Sequence, residues 1–191
     1  MSTARSMFRS LVLSLAGMVL VYLGVGSILA DQWRVDTTRT VVASAEQVAA
    51  LVRDFNTWKK WSSLEAHLGP QTTLEVTGDP GTIGHRMKWS GNQGLATLTM
   101  CAVAADAIEY QFHSQGPGET QLLLRGTGRL EWVAEGTGCR VHWHDESKWD
   151  SLPGRWIGWF GALQERVKEI QGTSLAGIEK AVAESKQPPG K

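Results

Sequence analysis

The chain has 191 residues, 42% of them hydrophobic, and its 19 basic and 19 acidic side chains cancel to a formal charge of zero. That length allows one domain plus an appendage, and the composition excludes both wholesale disorder and a multi-pass membrane protein. Neutrality removes the electrostatic footprint of a nucleic-acid binder, and two cysteines without a CxxC pair exclude a disulfide scaffold and a zinc ribbon.

The first thirty residues differ from the rest. Ser10 to Ala30 is a run of 21 residues without a charge, long enough as a helix rising about 1.5 Å per residue to span a hydrocarbon core of roughly 30 Å. Residues 1–30 are therefore expected to be a single membrane anchor. Arg5 and Arg9 precede the run and no acid does, which places the N-terminus in the cytoplasm and the following domain outside it, in the periplasm. A cleaved signal peptide is the competing reading. Its apolar region is usually about 7–15 residues long, and a cut after Ala30 would put Ile28 where a small residue belongs. Trp33 falls where an interfacial aromatic belt would place it.

From Asp31 to about residue 186 the pattern is that of one domain, followed by a tail, 187–191. Val35 to Val41 alternates as a strand. Ser44 opens a helix, with Gln47 completing a capping box and Val48, Leu51, Val52 and Phe55 as the apolar stripe. Asp54 to Trp61 is predicted as a second short helix with Trp58 and Trp61 on one face. After the Gly69-Pro70 break the period is two for about eighty residues, giving strands at 72–77, 83–90, 94–103, 107–114, 120–134 and 139–148. Turn signals separate them, among them Gly78-Asp79-Pro80-Gly81, Gly116-Pro117-Gly118 and Glu135-Gly136-Thr137-Gly138. One long helix is predicted from Trp156 to Glu184, its apolar face carried by Trp156, Phe160, Leu163, Val167, Ile170 and Ile178. About seven antiparallel strands with one long amphipathic helix bury their apolar faces by curling the sheet around the helix, an α+β grip that usually encloses a cavity.

Several stretches carry a family resemblance. These are Val41-Val42-Ala43-Ser44-Ala45-Glu46-Gln47-Val48, running on to Trp61; Gly81-Thr82-Ile83-Gly84 with Trp89; Ile108-Glu109-Tyr110; Gly136 to Trp143; and Gly154-Arg155-Trp156-Ile157-Gly158. In their order and spacing the chain resembles the START-like (SRPBCC) superfamily, in particular its bacterial polyketide cyclase/dehydrase and lipid-transport branch, over roughly residues 34 to 184. The resemblance implies a helix-grip fold with a ligand cavity. It implies no catalytic motif, since members share a cavity rather than a chemistry.

Strand parity selects the residues that face such a cavity. His85, Met87 and Trp89 share one face against Arg86 and Lys88; Tyr110 and Phe112 join Ile108 against Glu109, Gln111 and His113. Leu130 and Trp132 oppose Arg129 and Glu131, and Val141 and Trp143 share parity with Asp145. The candidate ligand-binding set is completed by Trp156, Trp159 and Phe160, in a stretch from Leu152 to Phe160 expected to gate the cavity, with Trp156 and Phe160 turned inward. Apolar walls with His85, Tyr110 and Asp145 as the few polar groups are the makeup of a small-molecule pocket. Asp145 has two readings, a buried acid or base and a solvated residue at a frayed strand end; Glu146, Ser147 and Lys148 after it favour the second.

His142, His144 and Glu146 share a face and are a legitimate zinc or iron set, but that face is opposite Val141 and Trp143, so an exposed polar stripe is expected and no metal site. GxSxG, HExxH, Walker and GxGxxG sequences are missing, so no cofactor is expected. Cys101 and Cys139 fall on strands that the meander separates by two others, beyond disulfide reach, and are expected to be free thiols. Two function classes follow: a membrane-tethered cup binding or shuttling a lipid-like or polycyclic molecule, and a cyclase or dehydratase acting through His85, Tyr110 or Asp145. An accessory subunit of a membrane complex is a third. The expected partners are a hydrophobic small molecule or lipid and the membrane, with no nucleic acid, and nothing in the sequence speaks to oligomeric state.

Overall fold

Alternation governs the first strand, β1 (Gln32–Val41), in which Trp33, Val35 and Val41 are buried while their neighbours face water. The computed structural model describes residues 2–69, 71–92, 94–116, 123–149, 151–161 and 163–185. The predicted tail from Gln187, the turn through Pro117 and Gly118, Pro70 and residues 120–122 of the sixth predicted strand lie outside these residues.

Before β1 stands one helix, α1 (Ser2–Ile28), of which Met7–Ile28 is long and apolar enough to cross a membrane. After β1, Ser44 caps α2 (Ala45–Val52) with the predicted box: its hydroxyl accepts from the Gln47 amide, and the Gln47 side chain accepts from the Ser44 amide. A single turn, α3 (Phe55–Trp58), and α4 (Leu64–Leu68) complete the crossover. The predicted helix through Trp61 is thus shorter, and α4 was not anticipated, its five residues being too few to show a period.

Six further strands follow: β2 (Thr73–Thr77), β3 (Arg86–Gly91), β4 (Gly94–Val103), β5 (Ala107–Gln115), β6 (Leu123–Glu135) and β7 (Gly138–Lys148). The sheet order is β1-β7-β6-β5-β4-β3-β2, antiparallel throughout. The short helices carry the chain from one edge to the other, and the meander returns it to β1. A bulge at Cys101, whose thiol is exposed, shifts the β4–β5 register between Met100 and Ala102 and adds twist. Cys139 lies on β7, with β5 and β6 between the two cysteines.

The concave face holds the core. Met87, Trp89, Ile108, Tyr110, Leu130, Trp132, Val141 and Trp143 meet Val48, Val52, Phe55 and Trp58 from α2 and α3, and Leu175, Ile178 and Val182 from the last helix. Each large side chain buried this way contributes about 1.5–3 kcal/mol of transfer free energy.

The C-terminal helix differs from expectation. Residues 152–185 form two helices, α5 (Leu152–Phe160) and α6 (Leu163–Ser185), separated at Gly161, which is extended. Gly158 and Gly161 weaken the helix there by about 1 kcal/mol each relative to alanine. The break decides where the aromatic side chains go. Trp156 and Phe160 share a face as predicted, but it does not turn to the sheet: Trp156 stacks on Tyr22 of α1 and on Phe160, each at 5.5 Å, and Phe160 stays exposed. Trp33 is corrected likewise. It is 2% exposed, because β1 begins three residues earlier than predicted and its inward parity extends to Trp33.

Candidate functional site

A cavity of about 380 Å³ lies between the concave sheet and the first turns of α6. Its walls are apolar on the sheet side, from Trp33, Ala96, Leu98, Phe112, Leu124 and Trp143, and on the helix side, from Leu163, Val167 and Ile170. His67, Ser114 and Arg166 add polar atoms. The indole N–H of Trp33 is buried and has no hydrogen-bond partner.

One polar network is set into this wall. Trp143 Nε1 donates to Tyr110 Oη at 2.7 Å, and Tyr110 Oη donates to Asp145 Oδ1 at 2.5 Å. From the helix, Gln171 Nε2 donates to Asp145 Oδ2 at 2.8 Å, and Thr37 Oγ1 donates to Gln171 Oε1 at 2.7 Å. Every arrow converges on the carboxylate. Burial pushes the Asp145 pKa up, while the bonds from Tyr110 and Gln171 pull the other way. Burial and the neighbouring Asp145 charge push Tyr110 well above its ordinary value.

The network exists because β6 carries glycine between the two residues. Tyr110 of β5 and Asp145 of β7 both pair across Gly128, and Phe112 pairs across Gly126. A Cβ at Gly128 would collide with the Tyr110 ring and with Asp145 Oδ1, and one at Gly126 with the Phe112 ring. Without side chains at these two positions, the rings of β5 lie flat across β6 and reach β7. This was missed from the sequence, where Gly126-Thr127-Gly128 is an interruption of the strand pattern; glycine inside a strand is the signal for such a close approach.

Asp145 is a correction. It is 7% exposed, not solvated, because the end of β7 is not frayed: Asp145 is paired with Val35 of β1 on one side and Gly128 of β6 on the other. Gln171, also buried, was missed because a single polar residue on an apolar face reads as noise until its partner is known.

The twelve candidate residues separate into three groups. Tyr110, Phe112, Trp143 and Asp145 line the cavity. His85, Met87, Trp89, Leu130 and Trp132 face the same side of the sheet but are buried in its packed part and do not border the cavity. His85 acts as a bolt there: its Nε2 accepts from the Phe55 amide at 2.9 Å, its Nδ1 lies 3.1 Å from the Gly78 carbonyl, and its ring stacks on Phe55. Both nitrogens are engaged by the backbone. Trp156, Trp159 and Phe160 lie on α5, outside the lining.

On the convex face, His142 and His144 both contact the Asp36 carboxylate of β1, at 3.1 and 2.8 Å. The hydrogen bond from His144 holds the Asp36 pKa down. Among the described residues no group of three or more His, Cys, Asp or Glu is arranged to hold a metal ion.

Solved structures share this architecture. A protein of Rhizobium leguminosarum superposes with a TM-score of 0.61 at 11% identity, over 80% of this chain and 95% of its own. One from Nitrosospira multiformis gives 0.58 at 18% identity, over 81% and 100%. DynU16, a protein of the dynemicin biosynthetic locus, gives 0.54 at 16% identity, over 82% of this chain and 49% of its own. These likenesses establish the helix-grip fold. No curated protein matches the chain. Residues 32–183, nearly everything after α1, match the family described as polyketide cyclase / dehydrase and lipid transport. The chain belongs to that family.

Proposed function

We propose that the protein is a membrane-anchored binder of a hydrophobic, lipid-like or polycyclic small molecule, held in the cavity against Tyr110, Phe112, Trp143 and Asp145. The observation that carries this reading is the cavity itself. Its 380 Å³ volume and largely apolar lining fall in the range of small-molecule sites, and Asp145 adds one oriented acceptor to the wall. The helix Met7–Ile28 supplies the anchor, with Arg9 in its first, cytoplasmic turn and the domain outside. Family membership is compatible with such binding.

Native mass spectrometry of the detergent-purified full chain, followed by organic extraction, tests it. The wild type is expected to retain a lipid-like species, and Val167→Trp, which fills the cavity from α6, is expected to lose it. A wild type free of any adduct after incubation with lipid extract would overturn the reading.

A second reading, a cyclase or dehydratase chemistry on a polyketide-like substrate, is favoured by one feature: a carboxyl with a raised pKa on the cavity wall, beside a phenol. Asp145→Asn separates the two. A binder keeps its ligand in this variant, whereas turnover of a polyketide-like substrate through Asp145 stops.

A further inference from the structure

α5 is built inside out for a helix on the surface of a water-soluble domain. Its face toward the domain is glycine: Gly154 is buried, and Gly158, four residues on, lies against the Trp149 indole so closely that a Cβ would collide with it. The large residues point away. Ile157, Trp159 and Phe160 are 46%, 67% and 77% exposed, and Arg155 is the sole polar side chain of the nine. In water such a helix would carry its polar residues on the outer face.

What lies beside that face is the end of α1. Trp156 stacks on Tyr22 and donates Nε1–H to the Tyr22 carbonyl at 3.2 Å, and Arg155 reaches the Ser27 carbonyl at 3.4 Å. Gly26 lets α5 approach, since a Cβ there would meet both Trp156 and Leu152. Tyr22 lies six residues before the end of α1, so at 1.5 Å per residue α5 is fixed roughly 9 Å along the helix from its exit. An amphipathic helix lying in a bilayer interface is sunk to about 5–10 Å.

Part of the cavity lining comes from this same end of the molecule. The pairs Gln32↔Lys148, Gly126↔Ser147 and Gln115↔Leu123 put the start of β1, the start of β6 and the ends of β5 and β7 together. Trp33, Leu124 and Ser114 line the cavity from those strand ends, and Leu163 and Arg166 line it from the first turn of α6, immediately after α5.

We propose that α5 lies in the headgroup and upper acyl region of the bilayer beside the exit of α1, and that it holds the rim of the cavity against the lipid. The cavity then fills from the membrane rather than from water. This rests on the reading of α1 as a membrane anchor.

Nitroxide labels test it in the full chain, reconstituted in dioleoylphosphatidylcholine vesicles. Exposed Cys101 is replaced by serine, buried Cys139 stays unlabelled, and single cysteines are placed at 159, 133 and 19 in separate proteins. Val133 is exposed at the far end of β6, close to the hairpin. Expected is an oxygen-to-nickel-chelate accessibility ratio several-fold higher at 159 than at 133, with the label about 5–10 Å below the phosphates. Phe160→Cys repeats the measurement should Trp159→Cys lower the yield of folded protein. Equal, water-like ratios at 159 and 133 with a membrane-embedded label at 19 would overturn the seating of α5 and leave the anchor standing. A water-like label at 19 would overturn both.

Discussion

Under α2 and the start of α3 the concave face of the sheet is solid, with Phe55 stacked on His85 and packed edge-on against Trp58, which itself borders the cavity. Under the first turns of α6 the same face is hollow. The sheet supplies large rings to both halves, so the difference comes from the helices. α2 and α3 bring Val48, Val52, Phe55 and Trp58, all buried; the first turns of α6 bring Leu163 and Val167, only partly buried. Of the side chains that could have closed the hollow half, Trp156 stacks on Tyr22 of α1 and Phe160 stacks on Trp156 and stays exposed, on a helix that ends at Gly161. A cavity survives here because the apolar bulk next to it is oriented outward.

The largest expected effect tests the solid half. Phe55→Ala removes a fully buried ring between His85 and Trp58 and is expected to cost about 3–5 kcal/mol. Val167→Ala, beside the cavity, leaves no new void in close-packed surroundings and is expected to cost under about 1 kcal/mol. Urea unfolding of the two variants measures both. Equal losses would mean that the two halves are packed alike.

Next in size is the site where sheet and cavity meet. Gly128→Ala puts a Cβ into the Tyr110 ring and Asp145 Oδ1, and the ring is already held by Trp58 packed edge-on and by the Trp143 hydrogen bond. Overpacking of this kind costs about 1–3 kcal/mol. Gly172→Ala in α6 is the control, with nothing within 4 Å of the added carbon, and is expected to stabilise by up to about 1 kcal/mol. Ligand retention should fall in the first variant and hold in the second. A harmless Gly128→Ala would mean that Tyr110 does not need to lie across β6.

These particulars also show what the chain makes legible on its own. Period two across β3 to β7 was readable because each strand has one wet face, and parity put Tyr110, Phe112, Trp143 and Asp145 on the concave side. The Ser44–Gln47 capping box was readable because it is local. Parity does not tell a ring that lines a space from one that fills it. Trp89 and Trp143 have the same sequence signature and both lie in the core, yet only Trp143 borders the cavity. The state of Asp145 was hidden for the same reason: its donors come from residues 35 and 26 positions away in sequence. The outward turn of α5 depends on α1, more than a hundred residues earlier, and glycine spacing on α5 was its one local sign.

The smallest expected effect is a slope, and it reports on the wall of the hollow half. Asp145 is buried, and desolvation raises its folded pKa above the ordinary aspartate value of 3.8. Below 3.8 the carboxyl is protonated in both states, and the native form carries no penalty. As pH rises through that value the unfolded chain releases its proton first, so the native state holds more protons and stability declines. The decline ends once pH passes the folded pKa. Asp145→Asn removes this contribution. Its amide oxygen still accepts from Tyr110, and the Gln171 amide can turn to face the new amide group, because the Thr37 hydroxyl donates or accepts equally well. Asp36, Glu131 and Glu146, whose pKa values are held down by His144, Arg129 and Arg34, bias stability in the opposite sense. They are common to both proteins and cancel in the difference. Urea unfolding of wild type and variant across this range should therefore show wild-type stability minus variant stability largest at the acid end, falling through the folded pKa and then level. A flat difference would mean that Asp145 is solvated and that the cavity wall there is wet, and one that grows with pH would mean that the bonds from Tyr110 and Gln171 outweigh burial.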